Sequence, residues 1–593
     1  MRSLEVAMIG NCNIAALIDE KASIVWGCFP RLDGDPLFCA LLKSDEDGTG
    51  SFDIGLHDFS HAEQSYRRNT AIVETTLHAH DGSAVRVTDF APRFKRAGRT
   101  FRPMMLVRRV EPVAGRPRIT VRARPLCAHG AARPETTYGS NHIRFITPSV
   151  TLRLTTDMPI AYLMEERTFN LDRTTTMILG PDESLQTGIH DTGRDFFEHT
   201  EEYWFEWCRY LSLPFEWQDA VIRAAITLKL SNYEETGAIV AAITTSIPEA
   251  PNTVRNWDYR YCWMRDSYFV VHALNRLGVT RTMEGYLRFL INVATLEDVD
   301  DLQPLFGITQ ERRLDESIVE SLDGYRGMGP VRIGNQAYDQ VQNDSYGHIV
   351  LAATQSFFDS RLRQPGGQDL FEQLEALGEK AVRKWDKPDA GLWEFRSRAA
   401  VHTHSAVSCW AACDRLARIA RRLSLSERAA YWQEHARTIR DGILARAWNE
   451  ELGIITASFG GSELDASLLL LAEVGFLAYD DPRYVATFHR IEADLRSGRH
   501  LYRYIAEDDF GAPETAFNIC SFWYIDALAG MGRREEAREI FEEMLRSRTR
   551  LGLLSEDIDT RTGELWGNFP QTYSMVGLIN SAMLLSQKWE DAF

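Results

Sequence analysis

The hydrophobic rhythm of the chain changes near residue 195. Between about 65 and 185, apolar and polar residues tend to alternate. "SAVRVTDFAP", "MMLVRRVEPV", "RITVRARPL", "HIRFITP", "VTLRLTTD" and "TTTMILG" are rich in Val, Ile, Thr and aromatics, with Gly, Pro, Asp and Asn between them. Period two with such punctuation predicts strands. Short strands without intervening helices predict an antiparallel sandwich. Beyond about 195 the apolar residues recur at i, i+3, i+4 and i+7. Helices are expected near 216–233, 262–277, 280–294, 336–360, 368–385, 403–423, 425–445, 464–474, 481–495, 514–531, 532–548 and 571–588. Twelve helices suit a barrel of six helical hairpins in two rings. No 34- or 40-residue repeat appears, which argues against a solenoid.

The expected fold is therefore α+β: an antiparallel β-sandwich over 1–195, a linker over 196–215, and an (α/α)6 barrel over 216–593. The loops at 234–261, 295–335, 386–402, 496–513 and 549–570 are long and hold most of the barrel's Pro. Long loops in a compact domain are usually functional. Every other connection is long, so the long ones should gather at one end and form a cleft.

At 593 residues the chain exceeds one ordinary core. Its net charge of −18 and the lack of a basic stripe argue against a nucleic-acid partner. The most apolar stretch, "ASLLLLAEVGFLAY", is too short to span a bilayer and contains Glu473. No membrane partner is expected. Nine scattered cysteines include no CxxC pair, which fits buried thiols in a reducing compartment. The N-terminus has no signal-peptide hydrophobic run, so the expected location is cytoplasmic. No zinc-type ligand cluster is visible, and neither a metal nor a cofactor is expected.

The candidate chemistry lies in the loops. "NWDYRYCWMRDSYF", residues 256–269, crowds six aromatic rings with two Arg and two Asp. Trp263, Arg265 and Asp266 fall where a helix starts, which suits either a capped helix end or a sugar clamp. In "DAGLWEFRS", Glu394 stands beside Trp393. An indole desolvates a carboxyl and suits it to general-acid work, unless Glu394 only pairs with Arg396. Glu556, Asp557, Asp559 and Glu564 share the last long loop and are either a solvated turn or a source of a base. Two loop carboxylates on one rim suggest glycoside hydrolysis.

"RNWDYRYCWMRDS", "GYRGMGPVRIGN", "GLWEFRS", "HTHSAVSCWAACDR", "TAFNICSFWYIDALAGMGR" and "GLLSEDIDTRTGELWGNFPQTYS" occur in order along the chain. Together they resemble glycoside hydrolase family 15, the glucoamylases and bacterial trehalases. "IGNCNIAALIDEKASIVWGCFPRLDGDPLF" looks like the N-terminal region of its trehalase-like branch. The resemblance implies a β-sandwich before an (α/α)6 barrel, and removal of terminal glucose from α-glucosides with inversion. It makes Glu394 the protonated general acid and Glu556 the ionised general base. Trp263, Arg265 and Asp266 would hold the glucose, with Trp393, Arg326 and Trp566 lining the same pocket. An inverting pair should stand about 6.5–9.5 Å apart.

Three positions depart from the family pattern. Met575 replaces an expected His, His348 replaces an acid, and no Asp precedes Trp26. All three bear on the leaving-group pocket. The expected substrate is a small α-glucoside or oligosaccharide, with maltooligosaccharides first and trehalose close behind. An inverting glycoside phosphorylase and a non-catalytic sugar-binding regulator are the alternatives.

Overall fold

A computed structural model describes residues 3–43, 48–295 and 301–592. Residues 296–300 of the expected 295–335 loop lie outside the described residues. The N-terminal region holds two large antiparallel sheets and a two-stranded ribbon, Phe94–Arg96 with Arg99–Phe101. One has eight strands in the order Glu135–Tyr138, His142–Ile146, Thr151–Thr156, Thr175–Pro181, Leu106–Ala114, Ala84–Phe90, Val73–Ala79 and Phe59–Tyr66. The other runs Ala7–Gly10, Ala15–Ile18, Ile24–Phe29, Ser51–Leu56, Arg118–Arg124 and Phe169–Asn170, with Asp35–Phe38 also paired to Ile24–Phe29.

The strands before residue 57 carry little of the alternation that marks the later ones. Ala7–Gly10, Ala15–Ile18 and Ile24–Phe29 are buried at every position. A sheet covered on both faces has no polar side, so its strands read as continuous apolar runs. Alternate residues serve two cores. Ala7, Ile9, Ala16 and Ile18 pack inside the sandwich, whereas Met8, Ala15, Leu17 and Trp26 join the helical core. The seven-stranded sheet is thus the middle layer. Inside the sandwich, buried Arg108 pairs with Asp89 at 2.7 Å and donates to the carbonyls of Phe52 and Ala22. Those bonds tie the two sheets through one neutralised charge.

The expected linker is largely helical. Ile189–Arg209 forms a 21-residue helix, whose buried Thr192, Thr200, Trp204 and Cys208 recur on one face. The barrel helices are α1 Gln218–Leu230, α2 Met264–Arg276, α3 Thr280–Thr295, α4 Asp344–Thr354, α5 Gln368–Lys384, α6 Thr403–Arg422, α7 Ser426–Ala447, α8 Leu470–Glu473, α9 Pro482–Leu495, α10 Asn518–Gly530, α11 Arg534–Arg546 and α12 Thr572–Leu585. A 3-10 turn, Ala466–Leu469, leads into α8.

Packing sorts them into two rings. In α7 only six of 22 residues are buried, and in α12 twelve of 14 are. An amphipathic helix covers a core; one buried on all sides lies within it. The even-numbered helices touch in sequence, α2 to α4, α6, the α8 turn, α10 and α12, and α12 returns to α2. That closes the inner ring. Among the described residues no helix is long and apolar enough to cross a membrane.

The middle sheet grips the barrel's first long connection. Trp26 Nε1 donates to the Ile243 carbonyl at 2.7 Å, and Arg260 Nη1 donates to the Gly34 carbonyl at 2.8 Å. Trp26 is 1% exposed. Trp26→Ala should cost about 3–5 kcal/mol in denaturant unfolding. Because Trp26 belongs to the barrel's core, sandwich and barrel should still unfold in a single transition. Two separated transitions would mean that the middle sheet does not couple them.

Candidate active site

Five long connections meet at one end of the inner ring and enclose a cavity of about 890 Å³, mouth included. Its lining includes Trp263, Arg265, Asp266, Trp393, Glu394 and Glu556. Six of the eight predicted residues therefore share one space.

The stretch 256–269 divides between wall and core. Cys262–Trp263 pairs with Leu305–Phe306 as a short strand, and α2 begins at Met264. Arg265 and Asp266 thus lie in the first turn of α2. Trp257, Tyr259, Trp263, Arg265 and Asp266 face the cavity. Cys262 and Phe269 join the helical core, and buried Asp258 clasps Arg260 through two hydrogen bonds of 2.9 and 2.7 Å.

Glu394 sits on a turn with φ +59°. An L-residue held in that region costs energy and occurs often at functional sites. Its Oε1 accepts from Trp263 Nε1 at 2.7 Å and from Arg265 Nη2 and Gln342 Nε2, both at 3.3 Å. Arg265 also donates to Asp344 Oδ2 and Gln342 Oε1 at 3.0 Å each. Asp344 is fully buried. Burial opposes its charge, yet Arg265, His348 and His404 hold its carboxyl below the usual range. Trp393 turns the other way. Its Nε1 donates to Asp465 at 3.0 Å, and its ring meets Tyr504, Phe517 and Trp523. Burial pushes the Asp266 carboxyl up to about 6, with Arg265 opposing.

Glu556 comes from the last long loop, on the strand pairing that joins Asp557 to Trp566. Its Oε1 accepts from Tyr259 OH at 2.7 Å, while Oε2 is buried with no partner among the protein's side-chain contacts. The rings of Tyr259 and Trp263 stand edge to face at 5.5 Å. One aromatic pair therefore links to both carboxylates. Burial and then the negative charge of Glu249 push the Glu556 carboxyl up to about 8, against the pull of Tyr259 and Arg503. This environment disfavours the ionised form that the expected role of Glu556 requires.

Two predicted lining residues stand outside the cavity. Arg326 pairs with Glu564 at 2.7 Å and lies over the Tyr325 and Trp566 rings at 4.9 and 5.3 Å. Trp566 is buried against Tyr325. Asp559 pairs with Arg561, so the acidic loop supplies Glu556 to the cavity and places the others elsewhere. Met575 and His348 are buried in α12 and α4 and do not line the cavity. His348 lies 3.6 Å from Asp344 and among the rings of Tyr268, Phe269 and His404.

Glu249, Arg255, Arg503, Tyr504 and Asp508 also line the cavity and escaped the sequence reading. Their signal was position in the long loops 234–261 and 496–513. Among the described residues one group has metal-ligand spacing, His61, Glu63 and His78 on the sandwich. The two imidazole planes are nearly parallel, 6° apart at 4.5 Å, so their in-plane lone pairs do not converge on one ion.

Gly567 packs against the Glu556 side chain. At φ +77° an added Cβ would lie 2.5 Å from Glu556 Cβ. Gly567→Ala should destabilise the fold by roughly 2–4 kcal/mol and displace the carboxylate. Thermal stability and the activity expected of the Glu394–Glu556 pair, measured on the same preparation, should both fall; unchanged values would show that the loop yields freely.

A profile of glycosyl hydrolases family 15 matches residues 217–583, and one described as trehalase-like, N-terminal, matches residues 3–163. A trehalase of Thermoplasma volcanium is 31% identical over 98% of this chain and 93% of its own length. A trehalase of Mycobacterium tuberculosis is 33% identical over 99% of this chain and 90% of its own. A bacterial glucoamylase solved with acarbose superposes with a TM-score of 0.70 over 98% of this chain and 94% of that one. Its 13% identity makes it a likeness of fold.

Proposed function

The chain belongs to glycosyl hydrolases family 15 and is a glucose-releasing glycosidase, and from that premise we propose that it cleaves trehalose with inversion. The observation that carries this reading is the pair Glu394 and Glu556 on one cavity, with Arg265 and Asp266 in the same lining. Sequence alone put maltooligosaccharides first. Relatives named trehalase, matched along nearly their whole length, favour trehalose instead.

Glu394 would protonate the glycosidic oxygen as the C1–O bond breaks. Glu556 would take a proton from the water whose oxygen attacks C1 from the other face, giving β-glucose and the freed sugar. Arg265 and Asp266 would hold hydroxyls of the glucose being released, and Trp263 would pack its ring. The buried Oε2 of Glu556, short of a partner, suits the water. Retention of Glu556 speaks for water as the attacking group over phosphate. Nine buried free thiols fit a cytoplasmic enzyme.

Glucose release from trehalose and maltose without phosphate tests the reading. Glu394→Gln and Glu556→Gln should each lose about 10²–10⁴-fold in kcat. Fresh product should be β-glucose by NMR. Turnover that requires phosphate and yields a sugar phosphate would replace hydrolysis with phosphorolysis.

The pH profile tests the base. Only ionised Glu556 can accept a proton, and its pKa is raised to about 8. Thus kcat/KM should climb as pH rises toward about 8. Glu249→Gln removes the nearby negative charge, lowers that pKa and should move the acid limb to lower pH. A limb that stays in place would remove Glu249 from this role.

A further inference from the structure

The mouth of the cavity is crossed by a segment that no catalytic step uses. Asp508, Asp509 and Phe510 lie in the connection before α10, and all three line the cavity. Each is fastened to another loop. Arg255 grips Asp508 with two hydrogen bonds of 2.9 and 2.6 Å and also donates to the Gly511 carbonyl at 2.6 Å. Tyr504 OH adds a bond of 2.5 Å to Asp508. Asp509 accepts from the backbone N–H of Arg396 at 2.6 Å and of Ser397 at 3.1 Å, and from the Ser397 hydroxyl.

Phe510 completes a roof. It meets Trp257 edge to face at 5.0 Å. The Arg396 guanidinium lies over Trp257 at 4.5 Å and over Phe510 at 5.7 Å. Such cation–ring contacts hold side chains in place at modest cost in freedom. Arg396 and Ser397 follow Glu394 by two and three residues. A general acid marks the side from which the leaving group departs, so the roof stands on that side.

The charges of the lining also select. Its four arginines each have a carboxylate: Arg255 with Asp508, Arg265 with Asp344, Arg396 with Glu316 and Arg503 with Glu249. No lining guanidinium is left over for a phosphate group, which would need a bidentate partner of its own.

We propose that the strap Asp508–Phe510, clamped by Arg255 and Ser397, closes the leaving-group side after a single sugar ring. The enzyme then takes an uncharged disaccharide and rejects longer chains. This rests on the glycosidase reading above and adds to it the residues that limit the substrate's length.

Two series test it at fixed linkage. One is trehalose, then trehalose extended by one and two α-1,4-linked glucose units. The other is maltose, maltotriose and maltotetraose. In whichever linkage the wild type cleaves, kcat/KM should fall about tenfold or more from two rings to four. Phe510→Ala opens the roof, and Asp509→Asn independently loosens its fastening. Each should shrink that ratio by about threefold or more, with circular dichroism and melting temperature confirming the fold. Equal cleavage of two and four rings by the wild type would overturn the proposal. So would a ratio that neither folded variant moves, or a preference for the 6-phosphate of the same disaccharide. If no sugar is cleaved, the glycosidase reading fails by itself. Tryptophan fluorescence would then report binding of the same sugars, and equal affinities for two and four rings would overturn the strap.

Discussion

Closing six helical hairpins into a ring is the constraint on which the rest of the structure depends. Helices α2, α4, α6, α10 and α12 are covered almost all round, so their middles admit few charges. Charged chemistry is forced to the helix ends and the loops beyond them. Arg265 and Asp266 in the first turn of α2, and Asp344 in the first turn of α4, are the consequence. The cavity forms where the packing constraint relaxes.

A buried guanidinium is tolerated only with partners. Arg265 satisfies this by joining Asp344, Gln342 and Glu394, elements far apart in the chain. The same bonds fix the carboxylate that would carry the proton. Glu556 shows the opposite device. Burial and Glu249 disfavour its charge, and a Tyr259 hydroxyl orients it. Two carboxylates on one cavity thus meet two environments, one crowded by donors and one short of them. Fixed dipoles of this kind are set before the substrate arrives.

The sandwich supports this site. Its middle sheet donates every second residue to the barrel core and bonds to the connection carrying Tyr259 and Trp263 through Trp26 and Gly34. Arg93 reaches Glu234 at the start of the same connection, at 2.6 Å. A long loop gains rigidity when its backbone groups find partners outside it. The absence of an Asp before Trp26 fits this setting: Val25 is buried in the core shared with the barrel, where a carboxylate would be costly.

Much of the fold was legible because helix and strand periods are local. Ten of the barrel helices lie close to where spacing put them, 336–360 and 464–474 shorten to Asp344–Thr354 and Leu470–Glu473 with 3-10 turns beside them, and the strands with one solvated face were readable. The earliest strands were hidden because burial on both faces erases alternation. Trp263, Arg265, Asp266 and Glu394 were legible as candidates because they stand in motifs of a few residues, whereas Arg326 and Trp566, drawn from equally familiar motifs, pack beside the cavity. Tertiary structure alone decided the surroundings of Glu556 and the roof. Tyr259 meets Glu556 across 297 positions, Trp263 meets Glu394 across 131, and Arg255 meets Asp508 across 253. A carboxylate's charge and a loop's closure depend on what stands within a few ångströms. Sequence determines which residues are available; only the folded chain sets those distances.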